Sequence, residues 1–220
     1  MIGNETFNMK FNQYIKEDKM SRIIKIILIV ATLCLSSISM FFPEARAGDN
    51  TGVSEKQEAK VMEKATFAAG CFWHIEEAFR KIHGVTDVSV GYTGGKKENP
   101  TYLDVCQDNT GHAEAVEVTY DPKIISYEQL LDVFWSIHDP TQLNRQGPDV
   151  GSQYRSVIFY HSKKQKETAR DSKLKIEKSG KFKLKLATQI VPAEVFYRAE
   201  EYHQRYFEKR GVNTCEIPAN

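Results

Sequence analysis

The sequence predicts an α+β protein: a two-layer ferredoxin-like (split βαβ) sandwich with long loops that carry the candidate site, and a C-terminal tail. Three observations carry that expectation. From residue 65 onward, period-2 apolar alternation and 3.6-residue apolar spacing follow one another in the order β-α-β-β-α-β. Capping and turn residues stand at the junctions between them. Two stretches, about 93–115 and 139–153, are too long to be mere connectors in a compact core, and loops of that length usually carry function.

Element by element, residues 66–70 form a short apolar strand. Phe72, Ile75, Phe79 and Ile82 recur at helical spacing until Gly84 stops them. Val88, Val90 and Tyr92 alternate as a strand ending at Gly94-Gly95, and an irregular stretch runs on to His112. Val116, Val118 and Tyr120 make the next strand, closed by Asp121-Pro122. Ser126 and Gln129 suit a capping box for a helix through Tyr127, Leu130, Phe134 and Ile137. After the second loop comes a strand at 156–160. Ser162 and Gln165 then cap a highly charged helix that ends near Gly180. Residues 186–191 and 194–197 read as strands around Pro192. A last helix, 199–210, ends in Lys209-Arg210-Gly211, with cations where the helix dipole favours them.

Composition sets the class. The 220 residues are 41% hydrophobic and 27% charged with a net charge of +1, which describes a globular chain and gives no electrostatic reason to expect nucleic acid. The lead differs. Arg22 and Lys25 precede an apolar run at 26–42, Pro43 breaks it, and Ala45-Arg46-Ala47 is a small-x-small cleavage pattern. Residues 1–47 therefore read as a signal peptide, with Met20 as a possible true start, and an uncleaved membrane anchor is the rival reading. The expected localisation is periplasmic or secreted. Residues 48–64 are polar and read as a flexible spacer, leaving 65–220 as one domain. The cysteines at 34, 71, 106 and 215 form no CxxC pair. Cys34 leaves with the signal, and the odd remainder implies at least one free thiol.

That thiol is best sought at Cys71, in Ala-Ala-Gly-Cys-Phe-Trp, where a strand hands over to a helix. Unpaired N–H groups and the helix dipole favour thiolate there, Gly70 allows a sharp turn, and Phe72 and Trp73 form an apolar floor. The competing reading is a buried structural cysteine. Glu114 enters the strand whose core face is 116, 118 and 120, so alternation would point it inward; the competing reading is a frayed strand end facing water. A buried carboxyl stays protonated and can donate. His112 is either a general base or a structural hydrogen-bonding group. Tyr102 and Tyr154 are hydroxyl donors suited to an oxygen bearing negative charge, although a lone loop tyrosine is as a rule packing, and Asp149 and Arg155 in the second loop could pair locally. An ionised Glu114 beside Cys71 would oppose the helix-start effect, so the two titrate as a pair.

Five blocks in order carry a resemblance: Gly-Cys-Phe-Trp followed by Glu76, Asn-Pro-Thr-Tyr, Gly-His-Ala-Glu-Ala-Val, Gly-Ser-Gln-Tyr-Arg-Ser, and Ala-Glu-Glu-Tyr-His-Gln at 199–204. Over about 66–206 the chain resembles the peptide methionine sulfoxide reductase A family. The resemblance implies that 65–220 is a catalytic domain reducing methionine-(S)-sulfoxide, free or protein-bound. Cys71 is then the nucleophile, Glu114 the proton donor, Tyr102 and Tyr154 the hydrogen bonds to the sulfoxide oxygen, and Phe72 and Trp73 the pocket for the ε-methyl. Asp149 supports the site through hydrogen bonding. Cys71 becomes a sulfenic acid, and Cys215 in the tail resolves it to a disulfide that a thioredoxin-like dithiol reduces. No metal, flavin or nicotinamide is implied, and a monomer is expected. The chain departs from the pattern at His74, often Gly or Cys in relatives, and in its tail, which has a single cysteine and no Gly-Tyr before it, so no two-step relay is available. Cys106 has no role in the cycle.

Two other classes are open to the same residues: a Cys-His-acid hydrolase or acyltransferase using Cys71, His112 and Glu114, and a non-catalytic metal module using Cys71, His74, Cys106 and His112.

Overall fold

The computed structural model describes residues 61–212. The segment expected as a signal peptide, residues 48–60 of the spacer, and Cys34 and Cys215 lie outside them. The α+β class is observed, around a mostly antiparallel sheet.

The chain runs β1 (Glu63–Ala69), α1 (Phe72–Arg80), β2 (Val85–Thr93), α2 (Tyr102–Cys106), β3 (Ala113–Tyr120) and α3 (Tyr127–Ser136). A two-residue hairpin, β4 (Arg145–Gln146) and β5 (Asp149–Val150), and a 3₁₀ turn at Ser152–Tyr154 lead to β6 (Ser156–Tyr160). Then follow α4 (Lys163–Lys178), β7 (Gln189–Pro192), β8 (Tyr197–Arg198) and α5 (Tyr206–Lys209). The main sheet has the order β7-β6-β1-β3-β2-β8. Among its four central strands every neighbouring pair is antiparallel. In sequence, α1 links β1 to β2 with β3 lying between them, and α3 lies on the link from β3 to β6 with β1 between.

Two cores follow from strand alternation. Phe67, Val116, Val118 and Tyr120 pack with Phe79 of α1 and with Leu130 and Phe134 of α3. Phe67 is the centre: its ring stacks at 5.1 Å on Phe79 and 5.4 Å on Phe134. Such pairs contribute about 0.5–1.5 kcal/mol each beyond burial. The residues between them, Ala68, Ala113, Ala115, Val157 and Phe159, form a second cluster, against which Val191, Ala193 and Phe196 pack.

Five expectations are corrected. β1 starts at Glu63, inside the expected spacer, because Glu63 pairs with Tyr120 and its carboxylate accepts from the Tyr120 hydroxyl at 2.7 Å. The first loop is not wholly irregular. Thr101 and Asp104 form a reciprocal capping box that starts α2, a Thr-x-x-Asp signal present in the sequence. The second loop holds the β4–β5 hairpin and the 3₁₀ turn. The sheet gains two edge strands, shorter than expected, β7 parallel to β6 and β8 antiparallel to β2. The final helix is only Tyr206–Lys209, because 199–205 is drawn into contacts with other elements. Ala199 N–H donates to Val90 O, and Gln204 bonds both the N–H and the C=O of Val90.

The cap of α3 is as expected: Ser126 Oγ accepts from Gln129 N–H, and the Gln129 side chain accepts from Ser126 N–H. At α4 the Ser162 half matches, but Gln165 accepts instead from His161 N–H at 2.8 Å.

Candidate active site

β1 ends by delivering Cys71 to the first turn of α1. Gly70 makes the corner at φ +96°, a conformation L side chains rarely adopt. A Cβ there would also lie 2.8 Å from Cβ and Cγ of Gln146. The β4 strand that carries Gln146 is pinned by bonds from that side chain to Asp139 N–H and Asp139 O. The corner thus holds the second loop against the strand that presents the sulfur.

Cys71 is half-buried. Its thiol is pushed up to about 12, first by burial and then by the negative charge of Glu114, with Asp149 adding to both. The N–H groups of Trp73 and His74 pull the other way, as a helix start should, and lose. The balance that the sequence left open thus falls on the side of the thiol: burial, with the charge of the acids added to it, outweighs one helix turn.

Glu114 is 2% exposed and faces the core with Val116 and Val118, as alternation requires. The backbone N–H of Phe72, the residue after Cys71, donates to Glu114 Oε2 at 3.1 Å. Burial raises this carboxyl to about 8, against the lowering effect of that hydrogen bond, with Asp149 raising it further. At neutral pH the resting site therefore holds a protonated acid and a protonated thiol on adjoining backbone.

The hydroxyls of Tyr102 and Tyr154 are both held above the ordinary tyrosine value by burial, and both feel the Glu114 charge. Tyr154 also feels Asp149 and Cys71, while Tyr102 has the Cys106 thiol within hydrogen-bond range. Both phenols stay protonated donors. Asp149, on β5, acts on Cys71, Glu114 and Tyr154 through its charge and makes no side-chain hydrogen bond among the described residues.

Phe72 is buried against Tyr92, His203 and Trp73, with ring centroids 5.9, 5.1 and 6.3 Å away. Trp73 is half-buried and fixed twice. Its Nε1–H donates to His203 Nδ1 at 3.1 Å, and its ring stacks on Tyr206 at 3.6 Å.

Sequence reasoning missed these supports. Residues 199–206 bind the site together. Glu200 accepts from the Tyr92 hydroxyl and from Tyr102 N–H, both at 2.9 Å. His203 packs at 4.5 Å on Tyr102. Buried Glu76 accepts from Arg205 N–H at 2.7 Å. Their signal in the sequence is the Ala-Glu-Glu-Tyr-His-Gln block at 199–204.

His112 is structural. Its Nδ1 accepts from Gly95 N–H at 3.1 Å, which makes Nε2 the protonated nitrogen donating to Lys97 O at 2.8 Å. A Cβ on Gly95 would collide with the same histidine, so the pair interlocks. With both nitrogens committed to backbone, His112 serves neither as the base of a hydrolase nor as a metal ligand. His74 is exposed, with its ring 5.1 Å from that of Phe207, and partial desolvation lowers its pKa from the ordinary histidine value. Cys106 is exposed at the end of α2.

A family profile described as peptide methionine sulfoxide reductase matches residues 63–220. The peptide methionine sulfoxide reductase MsrA of Methanothermobacter thermautotrophicus is 63% identical over 155 residues, 70% of this chain and 92% of that protein. The Methanosarcina acetivorans protein of the same name is 65% identical over 167 residues, 76% of this chain and 88% of its own. Among solved structures, reduced Mxr1 from Saccharomyces cerevisiae is 39% identical, with a TM-score of 0.65 over 71% of this chain and 90% of that one. Methionine sulfoxide reductase A of Corynebacterium diphtheriae is 35% identical, with a TM-score of 0.64 over 73% and 80%. The chain belongs to the peptide methionine sulfoxide reductase A family.

Proposed function

We propose that this protein reduces methionine-(S)-sulfoxide, free or within a polypeptide, to methionine, using Cys71 as nucleophile and Glu114 as proton donor. The observation that carries this reading is the Glu114 carboxyl, buried, protonated to about pH 8, and bonded to the N–H of the residue that follows the thiol.

A sulfoxide oxygen leaves sulfur only as it gains a proton. Glu114 supplies that proton while the Cys71 sulfur attacks the sulfoxide sulfur, and the thiol proton returns to the carboxylate. The hydroxyl formed on the protonated oxygen then passes to the Cys71 sulfur as the substrate S–O bond and the new S–S bond break, so that the sulfide leaves and Cys71 becomes Cys–SOH. Methionine sulfur is reduced by two electrons and cysteine sulfur is oxidised by two. Because both acids are protonated at rest, no outside proton is needed. Tyr102 and Tyr154 donate to the oxygen as its charge grows. Phe72 and Trp73 receive the methyl, and Asp149 biases Glu114 toward its acid form. An apolar wall on one side and donors on the other read the sulfur stereocentre.

Cys215 then condenses with the sulfenic acid, releasing water and forming a disulfide, and a thioredoxin-like dithiol exchanges with it. Support comes from where the tail is rooted. Phe207 lies 5.1 Å from the His74 ring, and Val212 N–H donates to Phe207 O. Cys215 follows Val212 by three residues, a reach of about 10 Å. The order β6-β1-β3-β2 with its two crossovers also supports reading the core as a ferredoxin-like split βαβ. On the same terms residues 1–47 are a signal sequence and the mature protein works outside the cytoplasm. N-terminal sequencing of exported protein tests that point.

Separated sulfoxide epimers test the chemistry. The reduced enzyme should convert the S epimer alone, and Cys71→Ser should convert neither. Cys215→Ser should release one equivalent of methionine and then stall with thioredoxin. Full recycling by that variant would remove Cys215 from the cycle.

A further inference from the structure

The charge of this molecule is unevenly distributed. Residues 163–185 carry ten Lys or Arg side chains against three Asp or Glu, in a chain whose net charge is only +1. This strip is α4 and the loop that follows it, and it contains no residue of the site. The basic groups are poorly neutralised: among the described residues the strip's one ion pair is Lys163 with Glu167, at 3.9 Å. Lys173 and Lys181 are spent on backbone carbonyls, of Thr188 and Trp135. Lys175, Lys178, Lys183 and Lys185 are exposed.

Apolar side chains stand among them. Leu174 is 49% exposed and Leu184 is 70% exposed. Leu174 shares a shallow depression on α4 with Lys175 and Lys178. Lysines with apolar residues between them match a bilayer interface. The ammonium groups meet lipid phosphates there, and the leucines enter the acyl boundary. Nine of the ten basic groups are lysines, point charges without the planar fork that reads bases.

The strip is also placed usefully. Ser156, the first residue of β6, pairs with Ala69 at the end of β1, and β7 starts beside Val157. The loop from α4 to β7 therefore opens at the end of the sheet where β1 delivers Cys71.

We propose that residues 163–185 form a docking surface for an anionic phospholipid bilayer, with Leu174 and Leu184 seated between headgroups and the exposed lysines on lipid phosphates. The surface would hold the site-bearing end of the sheet near a membrane.

Co-sedimentation of the full chain with vesicles tests this, comparing phosphatidylcholine alone with phosphatidylcholine containing phosphatidylglycerol. Neutral vesicles report whatever the apolar run contributes. Anionic vesicles should bind about ten-fold tighter or better, and high salt should erase that difference. The quadruple variant Lys175→Glu, Lys178→Glu, Lys183→Glu, Lys185→Glu, checked for an unchanged melting curve, should lose the preference. Leu184→Ser should weaken binding to anionic vesicles while keeping its salt dependence. Equal binding of the parent to both vesicles would overturn the proposal, as would a quadruple variant that binds like the parent. Displacement of the parent from anionic vesicles by duplex DNA at equal phosphate would also overturn it, in favour of a nucleic acid partner.

Discussion

At the scale of single residues, the site is governed by competition between burial and charge. A helix start favours thiolate at Cys71, yet burial first, and then the charges of Glu114 and Asp149, push the thiol up to about 12. The design keeps protons in place until a sulfoxide arrives to take one. Glu114→Gln removes the donor while keeping an acceptor for Phe72 N–H. Single-turnover formation of methionine should slow by about 10²–10⁴-fold, the range for a lost general acid. In the parent the acid form is the active one, and its pKa is raised to about 8. The single-turnover rate should therefore be level below pH 8 and fall as pH rises above it. A rate that climbs through pH 8 would assign the limiting ionisation to the thiol instead.

Secondary-structure elements supply position. α1 carries Cys71 at its start and Glu76 one turn later, and Glu76 reaches across to cap α5 at Arg205, whose φ of 52° turns the chain sharply into that helix. Arg80 adds an ion pair to Glu208 at 3.2 Å. The same helix that bears the reactive sulfur thus anchors the segment from which the tail departs, and Tyr206 rides on Trp73 as a consequence. Glu76→Ala leaves buried backbone donors unmatched, a cost of about 1–3 kcal/mol each. Formation of the Cys71 sulfenic acid should change little. Its capture by Cys215, followed by intact mass after one turnover, should slow by about ten-fold, the lower part of that range. Equal slowing of both steps would mean that Glu76 supports the site as a whole.

Across the whole molecule, Glu114 is a burden that the fold carries for function. Its folded pKa is about 8 and its unfolded value is near 4.5. Between those values the unfolded chain releases a proton that the folded chain retains. Stability from this group is therefore present at acid pH and lost as pH rises toward 8. Glu114→Gln has no such ionisation. Urea unfolding should show the variant gaining on the parent between pH 5 and pH 8 by an amount on the order of 3 kcal/mol. A difference independent of pH would show the carboxyl to be ionised in the folded protein. The surrounding core tolerates the cost because Phe67, Phe79 and Phe134 stack around β1 independently of the acid.

Much of this protein was legible before any coordinates. The strands β1, β2, β3 and β6 and the helices α1, α3 and α4 follow from apolar periodicity and Ser caps, which are local properties. Cys71 and Glu114 were legible for the same reason: a strand-to-helix junction and strand alternation are decided within a few residues. What tertiary structure alone decided is non-local. Residues 199–205 have helical spacing but forgo a helix, because Glu200, His203 and Gln204 find better partners on Tyr92, Tyr102, Trp73 and the Val90 backbone. β7 and β8 form only where a sheet edge is offered to them. The direction of the Cys71 pKa was equally beyond the sequence, since it depends on how deeply the fold buries the sulfur and on how near two carboxylates from separate strands come to it.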